Sequence, residues 1–320
     1  MESRHPDATP PNGALHNHLT AEVVVVGSLN MDLVVRTPRH PQPGETLTGH
    51  GLATTAGGKG ANQAVALARL GASTAMIGCV GDDAHGHALL AGLDQEGIQR
   101  QGVRVSPTAE TGVAMIQVDD ASQNRIVVIP GSNAELAPAD VGRWDALLGR
   151  AKLLVCQLEV PLETVRYALG RARARGCTTL LNAAPAMTLP QDVLALVDWL
   201  VVNESEAAVL SGHPVGHPDE AAQAIQRLRQ SGCRQILVTL GAQGVVAADD
   251  DGLHHHPAPR VAAVDTTAAG DTFVGGFAAA LLRDETVATA IRDGQAAAAL
   301  AVTRAGAQAS IPRRDEFADH

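Results

Sequence analysis

The chain has 320 residues, 45 % of them apolar and 2 % aromatic, with a formal net charge of −10. That length suits one large α/β unit whose core is built from Ala, Val, Leu and Ile, as helices on a buried parallel sheet require. The acidic balance argues against a nucleic-acid or anionic-membrane surface, so an anionic ligand would have to be held by local N–H groups and single cations.

The opening stretch MESRHPDATPPNGALHNHLT lacks the basic and apolar regions of a signal peptide. Residues 1–21 read as a disordered leader and 22–320 as a single domain. Structure is expected to start at EVVVVGSLN, a β-branched run that ends in glycines and polar residues as a buried parallel strand does. ANQAVALARLGA then places Ala64, Val65 and Ala68 on one helical face and stops at Gly71. STAMIGCVG is a second strand and HALLAGLDQEGI a second helix ending at Gly97. AKLLVCQLE, TTLLN, DWLVVN, RQILVTLG and GVVAADD continue the strands, with helices over PLETVRYALGRARARG and PDEAAQAIQRLRQSG. Two Ala-rich helices close the chain, one after Asp271 and one around 286–303. This alternation predicts a doubly wound, mostly parallel sheet with helices on both faces.

Two segments break the rhythm. MDLVVRTPRHPQPGETLTGHGLATT is strand-like, with Pro and Gly punctuation, and TGVAMIQVDDASQNRIVVIPG reads as a hairpin. Together, at about 32–55 and 111–130, they are expected to form a small sheet beside the main one, as a lid over a site or a dimer contact. No apolar run approaches the length of a membrane span, and Cys79, Cys156, Cys177 and Cys233 form no C-x-x-C pair. Buried, reduced thiols in a cytoplasmic protein are the expectation.

The candidate chemistry sits in five short stretches. AGGKGANQA (56–64) is not a Walker A loop, because Gly60 follows Lys59 and position 53 is Ala. It offers backbone that can approach a ligand closely, one ammonium, and Asn62; a glycine turn with Asn62 as helix cap is the plainer alternative. Lys59 is one of two lysines in the chain. GSLNMD places Asn30 and Asp32 past the carboxyl end of the first strand, where open α/β sheets bind ligands, though an Asx turn would need the same residues. NESEA has capping-box spacing between Asn203 and Glu206, and the same pair could hold metal-bound waters. TLGAQG is a glycine turn between strands, either structural or a bed for a nucleotide. In VDTTAAGDTF, Asp271 follows Ala268, Ala269 and Gly270 at a helix start. A capping aspartate explains Asp271 alone; the cleared approach fits an anion over free backbone N–H groups. The HHH run at 254–256 lacks the spacing and acidic partner of a zinc site.

Taken together, GSLNMD, PGETLTG, GGKGANQAVA, NAAPA, NESEA, LVTLGAQGV, VDTTAAGDTF and VTRAGAQASIP resemble the ribokinase-like, PfkB-type carbohydrate kinases from about residue 22 to 312. The resemblance implies a ribokinase-like fold with a β lid that pairs subunits into a homodimer. It also implies ATP-dependent phosphorylation of D-ribose at O5, with Mg2+ and K+ as cofactors. Another sugar or a nucleoside as acceptor, and a non-catalytic sugar-binding regulator, are the alternatives. Carried over, Asn30, Asp32, Gly58, Lys59, Asn62 and Glu159 would bind the sugar. Asn203, Glu206, Thr239, Gly241 and Gly244 would serve ATP and its magnesium. Ala268, Ala269 and Gly270 would supply the anion hole and Asp271 the general base. Asp265, Thr267, Ala301, Arg304, Gly306 and Ser310 would surround the monovalent cation.

Overall fold

A computed structural model describes residues 19–121 and 123–316. Residues 1–18 of the expected leader lie outside the described residues; Ala21 is buried in the core and Leu19 packs against it.

The main sheet is assembled from β1 (Val23–Val26), β4 (Thr74–Gly81), β5 (Gln99–Ser106), β8 (Leu153–Cys156), β9 (Thr178–Asn182), β10 (Trp199–Asn203), β11 (Gln235–Thr239), β12 (Val245–Asp249) and β13 (Gly252–His256). Its order is β13-β12-β11-β10-β9-β8-β1-β4-β5, with antiparallel pairing confined to β11–β12–β13. Helices α1 (Lys59–Arg69), α2 (Ala84–Gln95), α5 (Leu162–Ala174), α7 (Glu204–Ser211), α8 (Pro218–Arg229), α9 (Ala269–Leu282) and α10 (Val287–Ala301) cover it, with short turns α3 (Pro138–Gly142), α4 (Asp145–Leu148) and α6 (Gln191–Leu194).

The valine run of β1 shows why these strands carry no apolar–polar alternation. Val24 and Val26 enter one core cluster with α5 and α8, while Val23 and Val25 enter the other with α1, α9 and α10. With both faces covered, every position must be apolar. On the second face Phe277 of α9 is fully buried, edge-on to Trp199 with ring centroids 5.0 Å apart. The four cysteines are free and buried. Strand β5 is invisible in the sequence because QRQGVRVS is polar, as an edge strand can be.

The two irregular segments form a second sheet of order β3-β2-β6-β7, from β2 (Asn30–Thr37), β3 (Gly51–Gly57), β6 (Gly112–Asp119) and β7 (Asn124–Ile129). Its β2–β3 pair starts and ends two residues outside the expected 32–55, because Asn30 pairs with Gly57 in register. Asn30 and Asp32 therefore belong to β2 and are not in a loop after β1. The period of two puts them on one face, where Asp32 lies in register with Ala114 and Val128.

The order of the main sheet reverses at β1, which has β4 on one side and β8 on the other. Ligand crevices in such sheets open at the carboxyl ends of the strands flanking that reversal. Ser28, Glu159 and the start of α1 occupy this place.

Candidate active site

The crevice is lined first by the glycine-rich entry to α1. A methyl group on Gly58 would come within 2.6 Å of the Asn30 amide nitrogen, and Gly58 has φ +86°, so only glycine fits both the contact and the backbone. Gly58 is also the residue that precedes the helix, with no side-chain cap; Asn62 is one turn inside and is not the cap. This close approach sets α1 against the end of β1. Glu159, just past β8, ties the two together by accepting from Ser28 Oγ at 2.6 Å and from the Lys59 amide at 3.0 Å.

Asn30 and Asp32 reach the same space from the small sheet. Asn133 Nδ2 donates to Asn30 Oδ1 at 2.7 Å and fixes that side chain. Burial, with the charges of Glu159 and Asp271, pushes the Asp32 carboxyl up to about 7. Burial alone would lower the Lys59 pKa, but Asp271, Glu159 and Glu206 together raise it, so the site carries one firm ammonium among four carboxyl groups.

Asp271 sits at the start of α9. The residue preceding that helix is Ala268, at φ +60°, and Asp271 lies in the first turn. The carboxylate does not cap the helix. Its Oδ2 accepts from Asn62 Nδ2 at 3.0 Å and its Oδ1 from Gln63 Nε2 at 2.9 Å. A left-handed alanine costs about 1–2 kcal/mol, so the turn is held against its own preference. The Ala269 amide donates to Thr266, whereas the amides of Ala268, Gly270 and Asp271 have no acceptor among the described residues. These open donors, with the positive end of the helix, make a place for negative charge.

A cavity of about 200 Å³ joins this helix start to Lys59, Asn182, Asn203, Glu206, Thr239 and Thr266. Asn203 and Glu206 form the full capping box of α7: the Glu206 carboxylate accepts from the Asn203 amide at 2.8 Å and from its Nδ2 at 3.0 Å, while Asn203 Oδ1 accepts from the Glu206 amide. Burial raises the Glu206 pKa despite those bonds and the nearby Lys59. Thr239 ends β11 and donates to the Val202 carbonyl. Gly241 and Gly244 lie in the turn beyond; Gly244 is needed for packing, since a methyl there would stand 2.0 Å from the His256 carbonyl oxygen. The histidines of β13 line up along an edge strand, and the His255 ring contacts the Gln243 carbonyl oxygen at 2.7 Å.

Of the residues expected around a monovalent cation, Asp265, Thr267 and Gly306 are bonded together just before α9. Asp265 accepts from the Thr267 amide and hydroxyl and from the Gly306 amide, all within 2.9 Å. Burial opposes ionisation of Asp265, but these bonds hold its carboxyl below the usual range. Ala301 ends α10, Ser310 is buried and donates to the Ala307 carbonyl, and the Arg304 side chain turns away to Glu316. Among the described residues no cluster of three or more His, Cys, Asp or Glu could itself hold a metal ion.

The residues that the sequence reading missed are uncharged. Ser28, Gln63, Asn133, Gln157 and Asn182 are all buried and hydrogen-bonded to the site or to its neighbours. Gln157 and Asn182 were findable, because each is the polar residue at the carboxyl end of an otherwise apolar run.

Comparison with known proteins extends the geometry. The chain matches the pfkB family carbohydrate kinase description over residues 20–314. It is 42 % identical over 301 residues to a ribokinase of Haemophilus influenzae, covering 93 % of this chain and 98 % of that one. A deoxyribokinase of Salmonella typhi is 38 % identical over 300 residues, again covering 93 % and 98 %. The structure of Arabidopsis thaliana ribokinase complexed with ribose and ATP is similar at a TM-score of 0.86 and 30 % identity, covering 94 % of this chain and 98 % of that one. The glycine-rich entry to α1, the open start of α9 and the small sheet all fall inside the matched span, and the chain belongs to the pfkB family of carbohydrate kinases.

Proposed function

We propose that this protein phosphorylates D-ribose at O5 with ATP, giving D-ribose 5-phosphate and ADP. The observation that carries the reading is Asp271: a buried carboxylate, bonded to two side-chain amides, at the rim of a helix start with open N–H groups. Asn30, Asp32, Lys59, Asn62 and Glu159 bind the sugar hydroxyls and leave the primary hydroxyl beside Asp271. That carboxylate accepts the hydroxyl proton as the oxygen attacks the terminal phosphorus of ATP. The amides at the start of α9, with Lys59, offset the charge of the transferring group, and positioning supplies most of the remaining rate. The small sheet closes over the sugar and keeps water from competing as acceptor.

ATP lies along the crevice past Asn203, Glu206, Thr239, Gly241 and Gly244. Mg2+ fits the polar wall at Asn203 and Glu206 through its waters, because both Glu206 oxygens are already engaged by Asn203. Bound there, it would neutralise phosphate charge. K+ fits the turn around Asp265, where it would order the backbone that carries the open amides. Homodimerisation through the small sheet and a cytoplasmic location complete the proposal; no helix among the described residues is long and apolar enough to cross a membrane.

The deoxyribokinase relative favours 2-deoxyribose as a second acceptor. ATP consumption measured with ribose and with 2-deoxyribose decides between them. Turnover with ribose at the higher kcat/KM supports the first reading; the reverse ranking replaces it, and no turnover with any sugar leaves a non-catalytic binder.

A further inference from the structure

A chain of buried amides runs from the backbone of the main sheet to Asp271. Asn182 Nδ2 donates to the Val201 carbonyl oxygen at 3.1 Å, and a backbone carbonyl can only accept. Asn182 therefore turns Oδ1 towards Gln63, which donates to it from Nε2 at 2.9 Å. The other hydrogen of the same Nε2 goes to Asp271 Oδ1, also at 2.9 Å. Gln157 Nε2 donates to Gln63 Oε1 at 2.6 Å, while its own Oε1 is buried without a partner among the described residues, so Gln157 follows the orientation of Gln63 and does not set it. Gln63 and Gln157 are fully buried, and Asn182 and Asp271 are 8 % and 7 % exposed. Space for the Gln157 amide comes from Gly27, where a methyl group would stand 2.0 Å from Gln157 Oε1.

From this geometry we infer that Gln63, held in one amide orientation by Asn182, is a positioning residue that presents a donor to Asp271 and keeps it aimed. The inference rests on the reading of Asp271 as the base. With both ends of the chain fixed as acceptors, Gln63 cannot flip to offer Oε1 without losing two bonds and facing a carboxylate. A donor that cannot become an acceptor favours the anionic form of its partner. Helix α1 thus supplies two neighbouring residues for one carboxylate, Asn62 on Oδ2 and Gln63 on Oδ1. Asn62 also faces the sugar, whereas Gln63 faces the core.

The test compares pH profiles of kcat at saturating ribose and ATP. Lys59 from α1, Asp32 from β2 and Glu206 from α7 are the charged groups coupled to Asp271, and Glu159 acts on Lys59 and Asp32. All four are present in wild type and variant, so a difference between profiles reports Asp271. Gln63→Met, which keeps the length and removes the donor, should lower kcat roughly 10- to 100-fold and move the acid limb to higher pH, with ATP affinity held within about twofold. A lower melting temperature with an unshifted limb in Gln63→Met overturns the inference and leaves only a packing role. If Gln63→Met does not fold, Gln63→Leu, which removes the same donor, decides in its place, and an unshifted limb there overturns the inference equally. Asp271→Asn measured alongside separates the two layers: near-normal kcat removes the base, whereas a crippled Asp271→Asn beside a silent Gln63→Met removes only the positioning role.

Discussion

Replacing Asp32 by Asn should stabilise the free protein above neutral pH while weakening sugar binding. Asp32 is 7 % exposed, and its carboxyl is lifted from 3.8 to about 7 by burial and by Glu159 and Asp271. The folded state therefore holds this proton more tightly than the unfolded chain does. Its contribution to stability is fully present below the unfolded value and is lost as pH rises through about 7. Three pKa units at 1.36 kcal/mol each bound the loss at about 4 kcal/mol. Asn has the same shape and no charge, so Asp32→Asn should recover roughly half of that at pH 8, or about 3 °C of melting temperature at this chain length. At pH 5, already above the unfolded value of 3.8, about 1.6 kcal/mol of that loss is present, so the gap between the two proteins should shrink to less than half its size at pH 8 without vanishing. Sugar affinity moves the other way. Loss of a charged hydroxyl partner costs about 1.5–3 kcal/mol, roughly 10- to 100-fold in KM for ribose. Thermal melts of both proteins at pH 5 and pH 8, with KM at pH 8, provide the assay. A variant no more stable than wild type at pH 8, or one with unchanged KM, refutes the reasoning.

Two further outcomes follow from the small sheet and the Asp265 turn. Leu52, Met115, Val127 and Ile129 are half or more exposed on this sheet, so a dimer that hides them should be seen by sedimentation at micromolar concentration, and Val127→Lys should split it; a wild-type monomer with full activity counts against the lid contact. Activity should rise with potassium relative to sodium or a bulky organic cation, and Asp265→Ala, which frees Thr267 and Gly306, should abolish that difference; equal wild-type rates in all three salts remove the cation from the account.

How far the sequence is legible depends on what each residue answers to. Strands such as VVVV in β1 read clearly, since burial on both faces leaves one composition possible. The capping box at Asn203 and Glu206 was legible from spacing alone, because it is satisfied within one turn. What spacing could not decide was the alternative use of each polar residue. The alternative of Asn62 as cap gives way to Gly58, and Asp271 is bonded by α1 and not by its own helix. The bonds from Asn62 and Gln63 to Asp271 join residues more than two hundred apart in the chain, which no local pattern encodes. Strand β5 and the amide Gln63 escaped notice for a related reason. Their polarity marks them as surface until the sheet order shows what lies against them.

The most direct test of the account is kcat for ribose phosphorylation by Asp271→Asn, with melting temperature and the affinities for ribose and ATP measured on the same protein. Asn keeps the shape and can still accept from Asn62 or Gln63, but it cannot take the proton of the attacking hydroxyl. The account predicts a folded protein that binds both ligands, with kcat reduced by roughly 10²–10⁴. Near-normal kcat in such a protein would contradict it.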